Sequence, residues 1–279
     1  MTLQCDDFTP HRKEHYTVGY CQEMTDFFQR RRAKTHAAFF LPHLRAGMTL
    51  LDAGCGPGGI TADLAELVAP GRVIGVDVER TQVDLARALA ASRGVRSASF
   101  QVASLYELPL PDCSVDAVFL HGVVEHLKEP VVALKEVRRV LKPGGVAGLR
   151  HGDWGGFLFA PETPTSSRFF ELFVRLMIHN GGDPRSGRNQ IAALREAGFT
   201  RLQASASHDC WTSTREETRG TARFLAAYCE SVEFRDQAVA LGIADHAAIR
   251  EMSAAFLAWG EDPGAFAAEA WGEAVAWKD

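Results

Sequence analysis

Asp52-Ala53-Gly54-Cys55-Gly56-Pro57-Gly58-Gly59 follows the short apolar run MTLL. Glycines spaced this closely let a ligand approach the backbone, because no Cβ stands in the way. Gly54, Gly56 and Gly59 satisfy the GxGxxG spacing of a dinucleotide site. Three features point to a different ligand. Asp52 places negative charge where a pyrophosphate would lie, and suits a ligand that presents an amine. Gly58 extends the pattern to DxGxGxG. Pro57 removes a backbone N–H that a pyrophosphate would use. A phosphate-binding P-loop is excluded, since no Lys-Ser or Lys-Thr follows the glycines. Asp77 ends the next apolar run, RVIGVDV, where an acid can accept hydrogen bonds from both ribose hydroxyls. Asp77 suits NAD and an adenosine without phosphates equally, and the three features of the loop tilt the reading toward a ligand that presents an amine.

A second group of residues could handle protons. His121 closes the run VDAVFLH, and His151 and Asp153 stand together in RHGDWGG. As a pair, His151 and Asp153 have the types and spacing of a general base with its orienting carboxylate. His121 reads as a wall of the ligand pocket or as a catalytic group. Glu125 and His126 read as structural, and Glu171 in RFFELF is a weaker candidate. The histidines and acids are too scattered to suggest a metal site. The cysteines at 5, 21, 55, 113, 210 and 229 form no CxxC pair, so reduced thiols are expected.

These residues need a scaffold that presents loop ends together. Residues 48–54, 72–78, 98–103, 115–121 and 146–152 read as strands. They alternate with helices expected over 60–69, 82–94 and 130–145, the last closed by Pro143. Such alternation demands crossover connections and a parallel sheet, and the nearly unbroken apolar strands fit a sheet covered on both faces. Helices are further expected over 20–41, 167–180 and 188–199, and within 214–268. A sixth strand is expected over 201–208 and a closing edge strand over 271–278. In a parallel α/β sheet ligands bind outside the carboxyl ends of the strands, which is where Asp52, Asp77 and His121 fall.

The 279 residues have an ordinary globular composition with a net charge of −5, which argues against a nucleic-acid partner. Arg30-Arg31-Arg32 with Lys34 reads as the solvated face of an amphipathic helix. No apolar run is long enough for a membrane span, and the N-terminus lacks the pattern of a secretory signal, so a cytoplasmic protein is expected.

DAGCGPG, then VDV, then ASLYELPLPDCSVDAVFLHGVVEHL, then VLKPGG together closely resemble a class I S-adenosylmethionine-dependent methyltransferase. The likeness is greatest to the small-molecule group related to the ubiquinone and menaquinone methyltransferases, and covers roughly residues 45–150. It implies an α/β, Rossmann-like fold: a seven-stranded, mostly parallel sheet with helices on both faces, a helical lid and insertions. It implies one methyltransferase domain, with an N-terminal cover (1–45), a cofactor-binding half (46–152), a substrate lid (153–187) and a C-terminal half with a helical insertion (188–279). S-adenosylmethionine is the implied cofactor. Asp52, Gly54, Gly56 and Gly58 would lie by its methionyl part, Asp77 on the ribose, Val78 on the adenine, and Ser104 and Leu105 near the adenine amine. His121 would stand beside the methyl group. Tyr16, Tyr20 or Arg31 would reach the cofactor's carboxylate from the cover.

The implied reaction is methyl transfer to O, N or C of an apolar or aromatic small molecule. Trp154, Phe157, Phe159, Phe169, Phe170, Phe173 and Met177 are expected to divide between core and pocket lining. Two other outcomes share these motifs: a relative that rearranges or cyclises its substrate without methyl transfer, and a non-catalytic cofactor-binding partner. A nicotinamide-dependent dehydrogenase is disfavoured by DxGxGxG and Pro57.

Overall fold

The computed structural model describes residues 15–279; residues 1–14 of the expected cover lie outside them. The described chain opens with α1 (Gln22–Gln29) and α2 (Ala33–His36). Then come β1 (Thr49–Ala53), α3 (Gly59–Leu67), β2 (Arg72–Asp77), α4 (Arg80–Ser92), β3 (Ala98–Val102), β4 (Val115–His121), α5 (Pro130–Val140) and β5 (Leu141–Gly152). After these follow β6 (Leu158–Ala160), α6 (Pro164–His179), α7 (Ser186–Glu196), β7 (Arg201–Cys210), α8 (Arg215–Cys229), α9 (Gln237–Ala240), α10 (His246–Trp259) and β8 (Phe266–Trp277).

The strands form one mostly parallel sheet in the order β3-β2-β1-β4-β5-β8, with every neighbour parallel until β8. β5 pairs with Trp271–Trp277 and β7 with Ala268–Trp277, so these two strands occupy opposite sides of β8. β6 pairs with Phe266–Ala268 and resumes the line of β5. The sheet therefore has eight strands in seven rows, one strand more than the sequence reading. β6 has only three residues, too few to show a two-residue period. β8 is interior rather than the edge strand that its alternation implied. It starts at Phe266, inside a stretch read as helical.

Alternation along the strands builds two separate cores. Leu50, Ala117, Phe119, Val146 and Val275 point to one face, where α2, its C-cap Ala37 and α3 bring Ala33, Ala37, Ile60 and Leu64. Leu51, Val118, Leu120, Ala147, Leu149 and Ala274 point to the other, against Leu134 and Val137 of α5 and Leu194 of α7. A third core lies off the sheet, where α6, α8 and α10 pack Phe169, Phe173, Leu225, Phe256 and Met252 together with Met24 of α1. Reciprocal capping boxes, Thr163 with Ser166 and Thr214 with Glu217, start α6 and α8.

Two helices differ from their sequence pattern. The helix expected over 20–41 is broken, because Arg32 is extended and its guanidinium donates to the carbonyls of Gln29 and Arg31. α5 ends at Val140 rather than at Pro143. Leu141 already pairs with Val115, and the register slips before Val146 meets Ala117.

Candidate active site

The loops after β1, β2, β3 and β4 enclose a cavity of about 500 Å³. Asp52, Gly54, Gly56, Asp77, Val78, Ser104, Leu105 and His121 all line it. Gly58 does not. It is the N-cap of α3 in the left-handed region, and a Cβ there would lie 2.7 Å from the Cβ of Ala86 on α4. Gly58 thus permits helix packing rather than ligand contact. Gly56 also has a left-handed φ of 50°, but a Cβ there would meet open space. Its conformation keeps the loop folded back over β2.

Asp77 is the bracket of this cavity. Its carboxylate accepts hydrogen bonds from the backbone N–H groups of Gly56 and Glu79, both at 2.9 Å. Burial raises its pKa, and these two bonds oppose that shift. Asp52 is buried beneath the loop and accepts from the Thr61 hydroxyl at 2.6 Å. Burial pushes its carboxyl up to about 7, against the Thr61 bond. Val78 is 59% exposed and gives the cavity an apolar wall. Ser104 Oγ accepts from the Tyr106 N–H at 3.2 Å.

A second, narrower cavity of about 60 Å³ adjoins the first. Tyr16, Phe28, Arg31, Gly122 and His126 line both. Aromatic side chains dominate its walls: Phe27, Phe28, Trp154, Phe169, Phe173, Trp211, Phe224, Tyr228 and Trp271. Of the aromatic segment singled out in the sequence, Trp154, Phe169 and Phe173 line it, whereas Phe157, Phe159, Phe170 and Met177 pack around it. Arg31 leaves the solvated cluster expected of it, and lies 4.4 Å over the Phe28 ring and 5.5 Å over Trp271. Glu125 and Glu269 supply acids to this chamber, and the sequence reading had assigned a chemical role to neither.

The histidine and aspartate of RHGDWGG do not form a pair. One residue step along β5 turns Arg150 toward His121 and His151 toward the opposite face. His151 is fully buried, and its Nδ1 lies 2.9 Å from Glu125 Oε2. Burial would raise the Glu125 carboxyl, but His151 beside it holds it down at about 2. The other Glu125 oxygen accepts from the Gly152 N–H at 3.2 Å. Asp153 binds Arg188 of α7 through both oxygens, at 2.5 and 2.7 Å, and caps the turn at Gly155. Neither His151 nor Asp153 lines the two cavities. Glu171 is exposed on α6, away from both.

His121 does face the large cavity, in a role its sequence position did not reveal. Arg150 can only donate, so the 3.2 Å contact from its Nη1 makes His121 Nε2 an acceptor. Burial, with Arg31 and Arg150 nearby, holds the His121 pKa well below 6.5. The neutral ring then carries its hydrogen on Nδ1, which is buried and has no partner among the described residues. Arg150 is itself 1% exposed and fixed by Asp209 at 2.8 and 2.9 Å, by Ser207 and by Glu273. His36 of α2 reaches the same Asp209 at 3.6 Å, docking the cover onto this network.

Comparison with known proteins accords with this geometry. Residues 51–149 match the family described as a methyltransferase domain. A probable methyltransferase, ltbC, from Aspergillus luteorubrus is 33% identical over 66% of this chain and 68% of its own. The demethylmenaquinone methyltransferase of Lactococcus lactis subsp. lactis is 30% identical over 64% of this chain and 67% of its own. In structure, the [4+2]-cyclase SpnF superposes with a TM-score of 0.55 at 24% identity, over 91% of this chain and 79% of its own, which attests to the shared fold. With the glycine loop, Asp77 and strand order of that fold in place, the chain belongs to the class I S-adenosylmethionine-dependent methyltransferases.

Proposed function

We propose that this methyltransferase moves the methyl group to O, N or C of an apolar or aromatic small molecule. The observation that carries this reading is that the cofactor-sized cavity shares a wall with a chamber lined by aromatic rings. Apolar walls with a few polar groups are what a small-molecule site requires. In this reading Asp77 accepts the ribose hydroxyls, Val78 touches the adenine, and Ser104 and Leu105 border its amine. Gly56 makes room for the methionyl part, Gly54 borders it while allowing the close approach of Val123, and Asp52 takes its ammonium. Tyr16, Tyr20 and Arg31 close the cover over that end. His121 serves as a hydrogen-bond donor beside the reacting methyl, not as a base. His151 orients Glu125, and Asp153 fixes the turn that carries Trp154.

The net charge of −5 supports a non-nucleic-acid substrate. No helix among the described residues is long and apolar enough to cross a membrane. Among the described residues Cys21, Cys55, Cys113, Cys210 and Cys229 are free thiols, which suits the reducing cytoplasm we assign to it. The test is transfer of tritium from methyl-labelled cofactor to a panel of aromatic and isoprenoid acceptors, with product mass as the readout. Labelled products heavier by one methylene unit are expected. Isomerised acceptors without label, or tight cofactor binding with no turnover of the panel, would overturn the reading.

A further inference from the structure

The aromatic chamber contains two acids that do not line the cofactor cavity, Glu125 and Glu269. Glu269 lies on β8, is 6% exposed, and lines the chamber. It and Glu125 converge on Gly152, where a Cβ would stand 3.6 Å from Glu269 Oε1 and 3.5 Å from Glu125 Oε1. The two acids have different surroundings. Glu125 is held by His151 and by the Gly152 N–H. Among the described residues Glu269 has no such clamp: burial raises its carboxyl, Asp209 and Glu125 add to that, and Arg31 and Arg150 oppose it through space.

We propose that Glu269 is the catalytic base, and that the acceptor is a phenol or enol whose hydroxyl meets Glu269 beside the cofactor cavity. This rests on the acceptor-chamber reading above. The acceptor's O–H proton passes to a Glu269 carboxylate oxygen. The hydroxyl oxygen's lone pair forms the new bond to the methyl carbon. The methyl–sulfur bond breaks, and its electron pair stays on sulfur as a thioether. A sulfonium and a carboxylate become a thioether and a carboxylic acid, so charge balances.

Two observations favour a hydroxyl. The aromatic walls suit a planar ring. Arg31 holds a fixed positive charge beside the oxygen as its proton leaves. His121 cannot take the proton, since Arg150 occupies its Nε2 lone pair.

The groups facing Glu269 are Tyr16 and Arg31 from the cover, Glu125 from the turn after β4, Arg150 from β5 and Asp209 from β7. Together with burial they place its carboxyl at about 8. A base must be ionised, so kcat/KM should rise with pH and level off above about 8.

The experiment compares the wild type with Glu269→Gln on matched panels of phenols, enols, amines and thiols. Para-nitrophenol binding is followed by tryptophan fluorescence with S-adenosylhomocysteine present. The wild type should methylate phenols or enols with the rising pH limb. Glu269→Gln should lose about 100-fold in kcat and lose that limb. It should keep its Tm, its S-adenosylhomocysteine affinity and its para-nitrophenol affinity. A Glu269→Gln variant as fast as wild type on phenols overturns the inference, and so does a preference for amines. Either result leaves the methyltransferase reading standing. Transfer to no acceptor, with cofactor bound, overturns that reading and the inference with it. If Glu269→Gln misfolds, the wild-type pH limb and acceptor preference still decide.

Discussion

The two adjoining cavities are built by opposite means. The large one is formed mainly by the loops at the carboxyl ends of four adjacent parallel strands, β1 to β4, between Asp52 and Leu127. Its polar atoms are held by backbone, as when Asp77 grips Gly56 and Glu79. The small one draws on Tyr16, α1, the turn at Glu125, Trp154, α6, Trp211, α8 and β8. Most of its aromatic walls belong to a helical core that packs apart from the sheet, with Glu269 and Trp271 added from β8. A scaffold divided this way can keep one ligand site constant while the other changes shape, because repacking the helices leaves the strand ends untouched.

The sharpest way to break that division is to remove the bracket of the large cavity. Asp77→Ala leaves two part-buried N–H groups without their acceptor and deletes the acceptor of the ribose hydroxyls. S-adenosylmethionine should bind about 100-fold more weakly by calorimetry, in line with hydrogen bonds of about 1.5–3 kcal/mol each to a charged group. Acceptor affinity, measured with S-adenosylhomocysteine at saturation, should change little. If both ligands were lost equally, the cavities would be one energetic unit.

The reverse experiment cuts the aromatic wall. Trp154 packs on Phe173 at 4.5 Å and stacks on Phe157 at 5.4 Å, at the border between sheet and lid. Trp154→Ala should raise the acceptor KM about tenfold, given about 0.5–1.5 kcal/mol per aromatic pair. Cofactor affinity should stay within about twofold. A large loss of cofactor affinity would show that the lid supports the strand-end loops.

The same division explains what could be read in the sequence. The glycine loop and Asp77 belong to consecutive strand-loop units, so local spacing carries their geometry. Asp52, Gly54, Gly56, Asp77, Val78, Ser104, Leu105 and His121 accordingly line one cavity. Gly58 fits the same pattern, yet its freedom serves a close approach to Ala86, which no spacing distinguishes from ligand contact. Glu269 and Trp271 reach the second cavity only because β8 returns between β5 and β7. Nothing within ten residues of them signals that return. Glu125 reads as structural from the EHL triplet common in the family, and its contact with His151 forms only across the fold. Arg31 looked solvated, because the break at Arg32 that turns it inward comes from side-chain bonds to the helix end.

The smallest expected effect tests a pairing that sequence proximity favoured and the fold undid. Asp153 and His151 stand two residues apart, but each is engaged elsewhere: Asp153 by Arg188, and His151 by Glu125. Arg188 is half exposed, so solvent weakens its pair with Asp153. Asp153→Asn keeps an oxygen to accept from the Gly155 N–H and gives up only the charge. A slightly lower Tm is expected, with kcat/KM within about twofold of wild type and an unchanged pH profile. A fall of about 100-fold in kcat at normal Tm would instead give Asp153 a part in proton transfer. It would then be the loop after β5, and not the start of β8, that brings the base to the acceptor.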